Sequence, residues 1–436
     1  MSMHRDDTIT HAGGESRVNR RSLLRVGSAG AGLAFLARIP GMGDHAFAAP
    51  LLQDPAPGGT LTYAREGDAD SLDPHKTTTT LSWQVHSQIY ESLTAFDADG
   101  NIVPNLAKSW EISDDGLEVT FVLQEGVTFH DGTPVNAEAV KYTFDRFIDD
   151  ATGNPSKASI GPLTGTEVVD DLTAKMTFSA PFAPLLSFLT DPFAGIISPT
   201  AAEASGEEFG NNPVGSGPFK FVEWVKGDHI TLERFDEYKG FHPMYNHEGP
   251  AYLDQVVYRT MPEEQARIAA LETGEVNMAE PPLEEVVRLQ GDGNFIVNIA
   301  QNTGQLVFFE FAVHRAPFDD VKVRQAVGYA VDPAQIVSIG LNDLVQTTQC
   351  TVGPGILGGN SEVCSTAGFS PDPEKAKALL AEAGYGDAPL PVTLATWTGG
   401  NREDVAQLIQ NQLNQVGFDV KLETMDIGSL NARVKA

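Results

Sequence analysis

Between Val392 and Leu422 the chain alternates strand, helix and strand. Val392-Thr393-Leu394-Ala395 has the β-branched and apolar character of a strand. Val405, Leu408, Ile409, Leu413 and Val416 then fall on one face of a helix closed by Gly417, and Val420-Lys421-Leu422 follows as a second strand. Two strands joined by a helical crossover lie parallel, so this part is an α/β layer containing a partly parallel sheet. The helices before it are punctuated the same way. Asp332-Pro333 and Asp372-Pro373 each place a capping carboxylate ahead of a proline suited to the first helical turn.

The earlier sequence is richer in strands. Thr60 to Ala64 alternates, Leu117 to Leu123 reads as a strong strand, and Lys175 to Phe178 as a short one. Phe219 to Val225 and His229 to Phe235 form a hairpin across Lys226-Gly227-Asp228, and Val256 to Thr260 is a further strand. Leu81 to Ala95 reads as a helix, Val127 to His130 as a short alternating segment, and Asn136 as the cap of a helix whose face carries Val140, Phe144 and Phe147. Trp110, Phe121, Phe129 and Trp224 are expected in cores.

The first 48 residues read as an export signal. Arg20 and Arg21 precede Ser22-Leu23-Leu24, a short Gly/Ala-rich apolar run follows, and Ala46-Phe47-Ala48 is a small-x-small cleavage triplet. The paired arginines are those of a twin-arginine signal, which carries folded proteins across a membrane. The remainder is therefore expected to work on the extracytoplasmic side, in a periplasm or at a cell surface. Residues 49–57 are a Pro-rich, flexible lead-in. There is no Cys beside the cleavage triplet to carry a lipid.

Acidic residues outnumber basic ones 59 to 29, a net charge of −30. Such a surface repels phosphate backbones, which excludes nucleic acid as a partner. The 41% hydrophobic content is enough for real cores. Cys350 and Cys364 are the only cysteines. Outside the cytoplasm they are a candidate disulfide, the alternative being two free thiols in a loop.

Catalytic motifs are missing where they would be legible. Gly215-Ser216-Gly217 lies between Pro213-Val214 and Pro218-Phe219, a turn ahead of a strand and not a nucleophile elbow. His242 and His247 sit in a Pro- and Gly-rich loop with Glu248 and would need a third ligand from elsewhere to hold a metal, so they read as surface histidines. Gly353-Pro354-Gly355 and Gly358-Gly359 lack the Lys-Ser/Thr of a phosphate loop. The residues point to an exported binder with no catalytic residues, no metal and no cofactor.

Five ordered blocks carry a family resemblance: GGTLTYAREGDADSLDPHKTTTT from Gly58, the long block from Ile89 to Arg146, NNPVGSGPFKFVEWVKGDHITLERFDEYKG from Asn211, RAPFDDVKVRQAVGYAVDPAQIV from Arg315, and PDPEKAKALLAEAGY from Pro371. Together they resemble the solute-binding proteins of peptide- and nickel-type (family 5) ABC transporters, the dipeptide- and oligopeptide-binding proteins among them.

The resemblance implies an α/β, two-lobed, periplasmic-binding-protein-like clamp. Residues 58–300 would form the first lobe, with an inserted subdomain, and residues 301–436 a second, partial lobe. It implies a monomeric receptor that captures a small solute, a di- or oligopeptide above all, and delivers it to permease subunits in the membrane. An oligosaccharide or metal-chelate binder of the same fold, an exported hydrolase and a non-functional truncated remnant are the alternatives. By position in the family, Tyr63, Glu66, Thr77, Thr78, Thr79, Thr80 and Trp83 line the cleft from the first lobe, and Trp397, Thr398 and Asn401 from the second. Glu310 stands where the family has an Asn near the hinge. Because the chain stops at Ala436, ahead of the family's further strand and helices, the second lobe is expected to be incomplete, with an open sheet edge and exposed apolar surface.

Overall fold

The computed structural model describes residues 56–245, 247–299, 306–308, 310–348, 353, 368–398, 400–425, 429–430 and 433. The export signal expected over residues 1–48, and Cys350 and Cys364, lie outside the described residues. No helix among them is long and apolar enough to cross a membrane.

Strand β1 (Thr60–Arg65) is followed by a loop, helix α1 (Thr80–Ile89), and the hairpin of β2 (Thr94–Phe96) and β3 (Ile102–Pro104). Next come β4 (Ala107–Ile112), β5 (Glu118–Leu123), α2 (Ala137–Ile148), β6 (Leu163–Asp170) and β7 (Thr173–Phe178). These four strands form an antiparallel sheet in the order β4-β5-β7-β6. Asn136 caps α2 by accepting a hydrogen bond from the Ala139 N–H at 3.0 Å, and the helix turns Val140, Phe144 and Phe147 into a core shared with Phe121 and Phe129.

Two short helices, α3 (Leu185–Phe188) and α4 (Pro199–Ser205), lead to β8 (Phe219–Val225), β9 (His229–Arg234), β10 (Gln255–Thr260), α5 (Glu264–Thr273), β11 (Met278–Ala279) and α6 (Leu283–Gln290). The larger sheet has the order β11-β1-β10-β9-β8. In it β1 runs parallel to both β10 and β11, while β8, β9 and β10 are joined antiparallel. Leu72, Ile89, Phe209, Ile230 and Leu232 pack in the core beside this sheet.

The remaining elements are α7 (Val321–Ala330), α8 (Pro333–Gly340), α9 (Pro373–Glu382), β12 (Leu390–Trp397), α10 (Arg402–Gln415) and β13 (Phe418–Met425). Strands β12 and β13 pair in parallel from Leu390↔Phe418 to Trp397↔Met425, with α10 as the crossover. Asp332 caps α8 through the Ala334 and Gln335 N–H groups, Asp372 caps α9 through Lys375 N–H, and a proline follows each cap. Val323, Val327, Leu380, Leu413 and Phe418 belong to a core of their own, with no buried member drawn from the earlier sheets. Among the described residues β12 and β13 pair only with each other. Val307 and Phe308 stand 91% and 69% exposed.

Three local expectations change. The helix expected over 81–95 ends at Ile89, because tertiary partners claim the carbonyls beyond it. Gly217 N–H donates to Ile89 O at 2.8 Å, Ile196 N–H to Glu91 O at 2.9 Å and Ala107 N–H to Leu93 O at 2.9 Å. Residues 127–130 form no full strand. Thr128 makes a single bridge to Pro134, and the chain turns back at once through Phe129 N–H to Thr133 O. Phe121 and Phe129 are fully buried, but Trp110 is only partly so. Trp224 is also half-buried, because its indole N–H reaches the Asp68 carboxylate at 3.0 Å.

Gly215-Ser216-Gly217 is a close-approach device. A Cβ on Gly217 would lie 2.5 Å from Gln88 O, and one on Gly215 would collide with Ile89 O. The bare backbone lets the segment lie against the end of α1, where Gly215 O accepts from His130 N–H at 2.9 Å. Gly215→Ala is therefore expected to destabilise the protein by about 3 kcal/mol, as overpacking against backbone does. Urea denaturation checks this, and a loss under about 0.5 kcal/mol would show that the segment shifts freely.

Candidate functional site

The carboxyl ends of the parallel strands β1 and β11 lie side by side, the place where open α/β sheets gather ligands. Tyr63 in β1 donates its hydroxyl to Glu280 Oε1, just past β11. Gln84 of α1 approaches both from above, its Nε2 lying 3.4 Å from the Tyr63 hydroxyl and 3.4 Å from Glu280 Oε1. Burial, then the hydrogen bond to Glu280, raises the Tyr63 pKa, so this phenol stays protonated.

Two residues along on the same strand face, Arg65 is 2% exposed. Its Nη1 donates to Leu81 O at 2.6 Å, and its guanidinium stands 4.7 Å from the Tyr258 ring centroid. Burial lowers its pKa, against the raising influence of Tyr258 and Asp68. The cluster therefore presents the carboxylate of Glu280 and the amide of Gln84, with the Tyr63 proton spent on Glu280 and the Arg65 cation buried beneath.

The loop from β1 to α1 is knotted on two carboxylates. Asp70 Oδ1 accepts from Thr77 Oγ1 at 2.6 Å, Thr79 Oγ1 at 2.7 Å and Ser82 Oγ at 2.7 Å. Burial alone would raise the Asp70 pKa; the hydroxyls of Ser82, Thr77 and Thr79 outweigh it and hold the pKa down. Asp73 receives a two-pronged bond from Arg146 of α2, with Nη2 to Oδ2 at 2.5 Å and Nη1 to Oδ1 at 3.0 Å. Thr77 and Thr79 thus spend their hydroxyls within the loop, while Thr78 and Thr80 are exposed beside them. Glu66 is exposed just beyond β1.

In the second lobe, Trp397 ends β12 with the Arg402 guanidinium 4.5 Å from its ring centroid. Thr398 continues the ladder by donating its N–H to Met425 O at 3.0 Å. Asn401 sits at the start of α10 and donates from Nδ2 to Gly340 O at 3.2 Å, which ties α8 to α10.

Trp83 faces a different space. It is 40% exposed and lines a cavity of ≈ 360 Å³ with Tyr90, Glu91, Asn105, Tyr238, His242 and Tyr245. Inside, Glu91 is buried and accepts from Ser216 Oγ at 3.1 Å and from the Tyr238 hydroxyl at 3.0 Å. Burial pushes its carboxyl up to about 7, with Tyr238 and Ser216 pulling weakly the other way.

Sequence reasoning reached Tyr63 but not Gln84 or Glu280. Strand β11 is two residues long, too short to show a period, so nothing marked Glu280. It reached Thr77 and Thr79 without Asp70, and Trp83 without Glu91. Asp70 and Glu91 are scattered acids in an acidic chain, and only tertiary contact distinguishes them.

Protonation links this geometry to stability. The folded Glu91 value of about 7 lies above its ordinary 4.5, so the stability it contributes is full below pH 4.5 and is lost as pH rises through 7. Buried His75, His86 and His130 are pushed down to about 3, 4 and 4, mainly by burial. Their contribution has the opposite sign: it is present above pH 6.5 and lost as pH falls through those values. Three histidines outweigh one glutamate, so the protein is expected to gain stability from pH 4 to 6.5. Glu91→Gln keeps an acceptor for Tyr238 and removes the titration. Relative to the parent it is expected to gain about 3 kcal/mol between pH 4.5 and 7.5, read by urea denaturation at both ends. An unchanged difference would refute the buried, titrating carboxyl.

Comparison with known proteins agrees with this architecture. Residues 101–436 match the family described as "Bacterial extracellular solute-binding proteins, family 5 Middle". The chain is 34% identical to the glutathione-binding protein GsiB of Pectobacterium atrosepticum over 372 residues, covering 84% of this chain and 69% of the relative. Among solved structures it is similar to the periplasmic binding protein DppA of Helicobacter pylori in complex with the peptide STSA. That match has 31% identity and a TM-score of 0.71, over 87% of this chain and 76% of the other. It is also similar to AgaA of A. tumefaciens R10 in complex with agropinic acid, at 30% identity and a TM-score of 0.69, over 86% and 74%. With its two-lobed α/β architecture, the chain belongs to family 5 of the bacterial extracellular solute-binding proteins.

Proposed function

We propose that the protein is the extracytoplasmic receptor of an ABC importer and that it captures short peptides between its lobes. The observation that carries the peptide reading is the Tyr63–Glu280–Gln84 cluster above Arg65, at the carboxyl ends of β1 and β11. Neutral donors and acceptors beside both signs of charge match an amide-rich zwitterion better than an apolar or polyanionic solute. The relatives support it, one being a glutathione-binding protein and one a structure holding a peptide.

In this reading residues 58–300 form the first lobe and residues 301–436 contribute the second. Glu280, Tyr63, Glu66, Thr78 and Thr80 face the solute from the first lobe, and Trp397, Thr398 and Asn401 from the second, while Trp83 lines the separate cavity beside α1. Thr77 and Thr79 hold the loop in shape through Asp70. Closure is driven by the higher affinity of the shut state for solute, and the shut form docks on the permease as a monomer. The twin-arginine leader delivers the protein already folded. The protein is a binder and not a hydrolase: Ser216, the serine closest to a nucleophile motif, is buried with its hydroxyl donated to Glu91.

The test is calorimetric titration of the full chain with glutathione and a panel of di- and tripeptides, beside native mass spectrometry of co-purified solute. Saturable binding of a peptide, weakened about tenfold by Tyr63→Phe and by Glu280→Gln, is the expected result. Agropinic acid bound by AgaA gives the second reading, a non-peptide solute in the same cleft. Co-purification of a non-peptide solute, with no peptide binding, would replace the first reading by the second.

A further inference from the structure

The cavity beside α1 has a chemistry of its own, independent of the cleft reading. Its rim carries Trp83 and Tyr245, 40% and 37% exposed, and Tyr238 is buried deeper in its wall. Two of the polar groups within it are buried acceptors. Glu91 presents a buried carboxyl whose two oxygens each accept one protein hydroxyl, from Ser216 and Tyr238. Asn105, 2% exposed, donates its Nδ2 to Ser92 O at 2.9 Å, yet its Oδ1 finds no hydrogen-bond partner. No lysine or arginine lines the cavity, and burial lowers the pKa of His242, its one imidazole.

A buried carboxyl, an orphaned amide oxygen and aromatic faces all attract positive charge or N–H groups, and no lysine or arginine on the walls supplies the charge. The volume, ≈ 360 Å³, lies within the usual range for small-molecule sites. We propose that this cavity is a second binding site, one that takes a small organic cation with an ammonium N–H group and an apolar body. The ammonium donates to Asn105 Oδ1 and Glu91, and the apolar body lies against Trp83, Tyr238 and Tyr245.

The probe is 2-phenylethylamine, with 2-phenylethanol as its neutral counterpart of nearly equal size, titrated into the full chain by calorimetry at pH 6. Expected are saturable binding of the amine at least tenfold tighter than of the alcohol, and a tenfold or greater loss in Glu91→Gln. Proton release, seen as a dependence of heat on buffer ionisation enthalpy, is expected as the bound cation ionises Glu91. The other titratable groups facing this space are Tyr90, Tyr238, Tyr245, His242 and Asp97, and Glu91→Gln separates Glu91 from them. Tyr245→Leu, at the rim, should weaken amine binding while leaving the Glu91 carboxyl present and serves if Glu91→Gln does not fold. Saturating a cleft peptide should leave amine binding unchanged.

Equal binding of amine and alcohol, no binding of either, displacement of the amine by the peptide, or amine affinity unaltered in the variants would each overturn the proposal. Apart from displacement by the peptide, none of these results bears on whether the cleft takes peptides.

Discussion

The pairing of Arg146 with Asp73 is the joint on which the loop from β1 to α1 depends. Arg146 leaves α2, on the antiparallel sheet, and grips a carboxylate in the loop that follows β1 of the other sheet. The pair is nearly dry, with side chains 16% and 3% exposed. A pair in that state adds little net stability against a well-packed apolar substitute, but losing one partner leaves a buried charge at a cost of about 3–5 kcal/mol. Its contribution is positional. It fixes Asp73, and through His75 N–H on Asp73 Oδ1 and the threonines on Asp70 it fixes the start of α1. Gln84 and Trp83 are placed by that chain of contacts.

A second joint sits at the other end of α1. There Gly215 and Gly217 allow two backbones to touch, Ser216 meets Glu91, and Ile89 O receives Gly217 N–H. Helix α1 is thereby held at both ends by segments far away in sequence, which a functional side chain needs if it is to be held to fractions of an ångström. The polar groups doing this are buried, so each is matched: the serine and tyrosine hydroxyls to Glu91, the guanidinium to Asp73.

Much of the architecture was legible because its signals are local. Asn136, Asp332-Pro333 and Asp372-Pro373 cap helices through contacts two or three residues away, and the 392–422 pattern produces the parallel pair by its period alone. The reading failed where a distant partner decided the outcome. Residues 90–95 are apolar enough for a helix, but their carbonyls are taken by Ala107, Ile196 and other groups from the second sheet and its connections. The site followed the same division. Tyr63 was named from its position in the family resemblance; Glu280, Asp70 and Glu91 acquire their character from neighbours 217, 7 and 147 residues away.

The core beneath α7, α9 and α10 shares no buried side chain with the cores of the earlier sheets. Cooperativity spreads through shared packing, so a half with a core of its own can open by itself. Amide exchange would therefore settle onto two plateaus, one for each half, and a guest gripped from both sides would draw the plateaus together. Such a molecule can report occupancy through its breathing as well as through its outline.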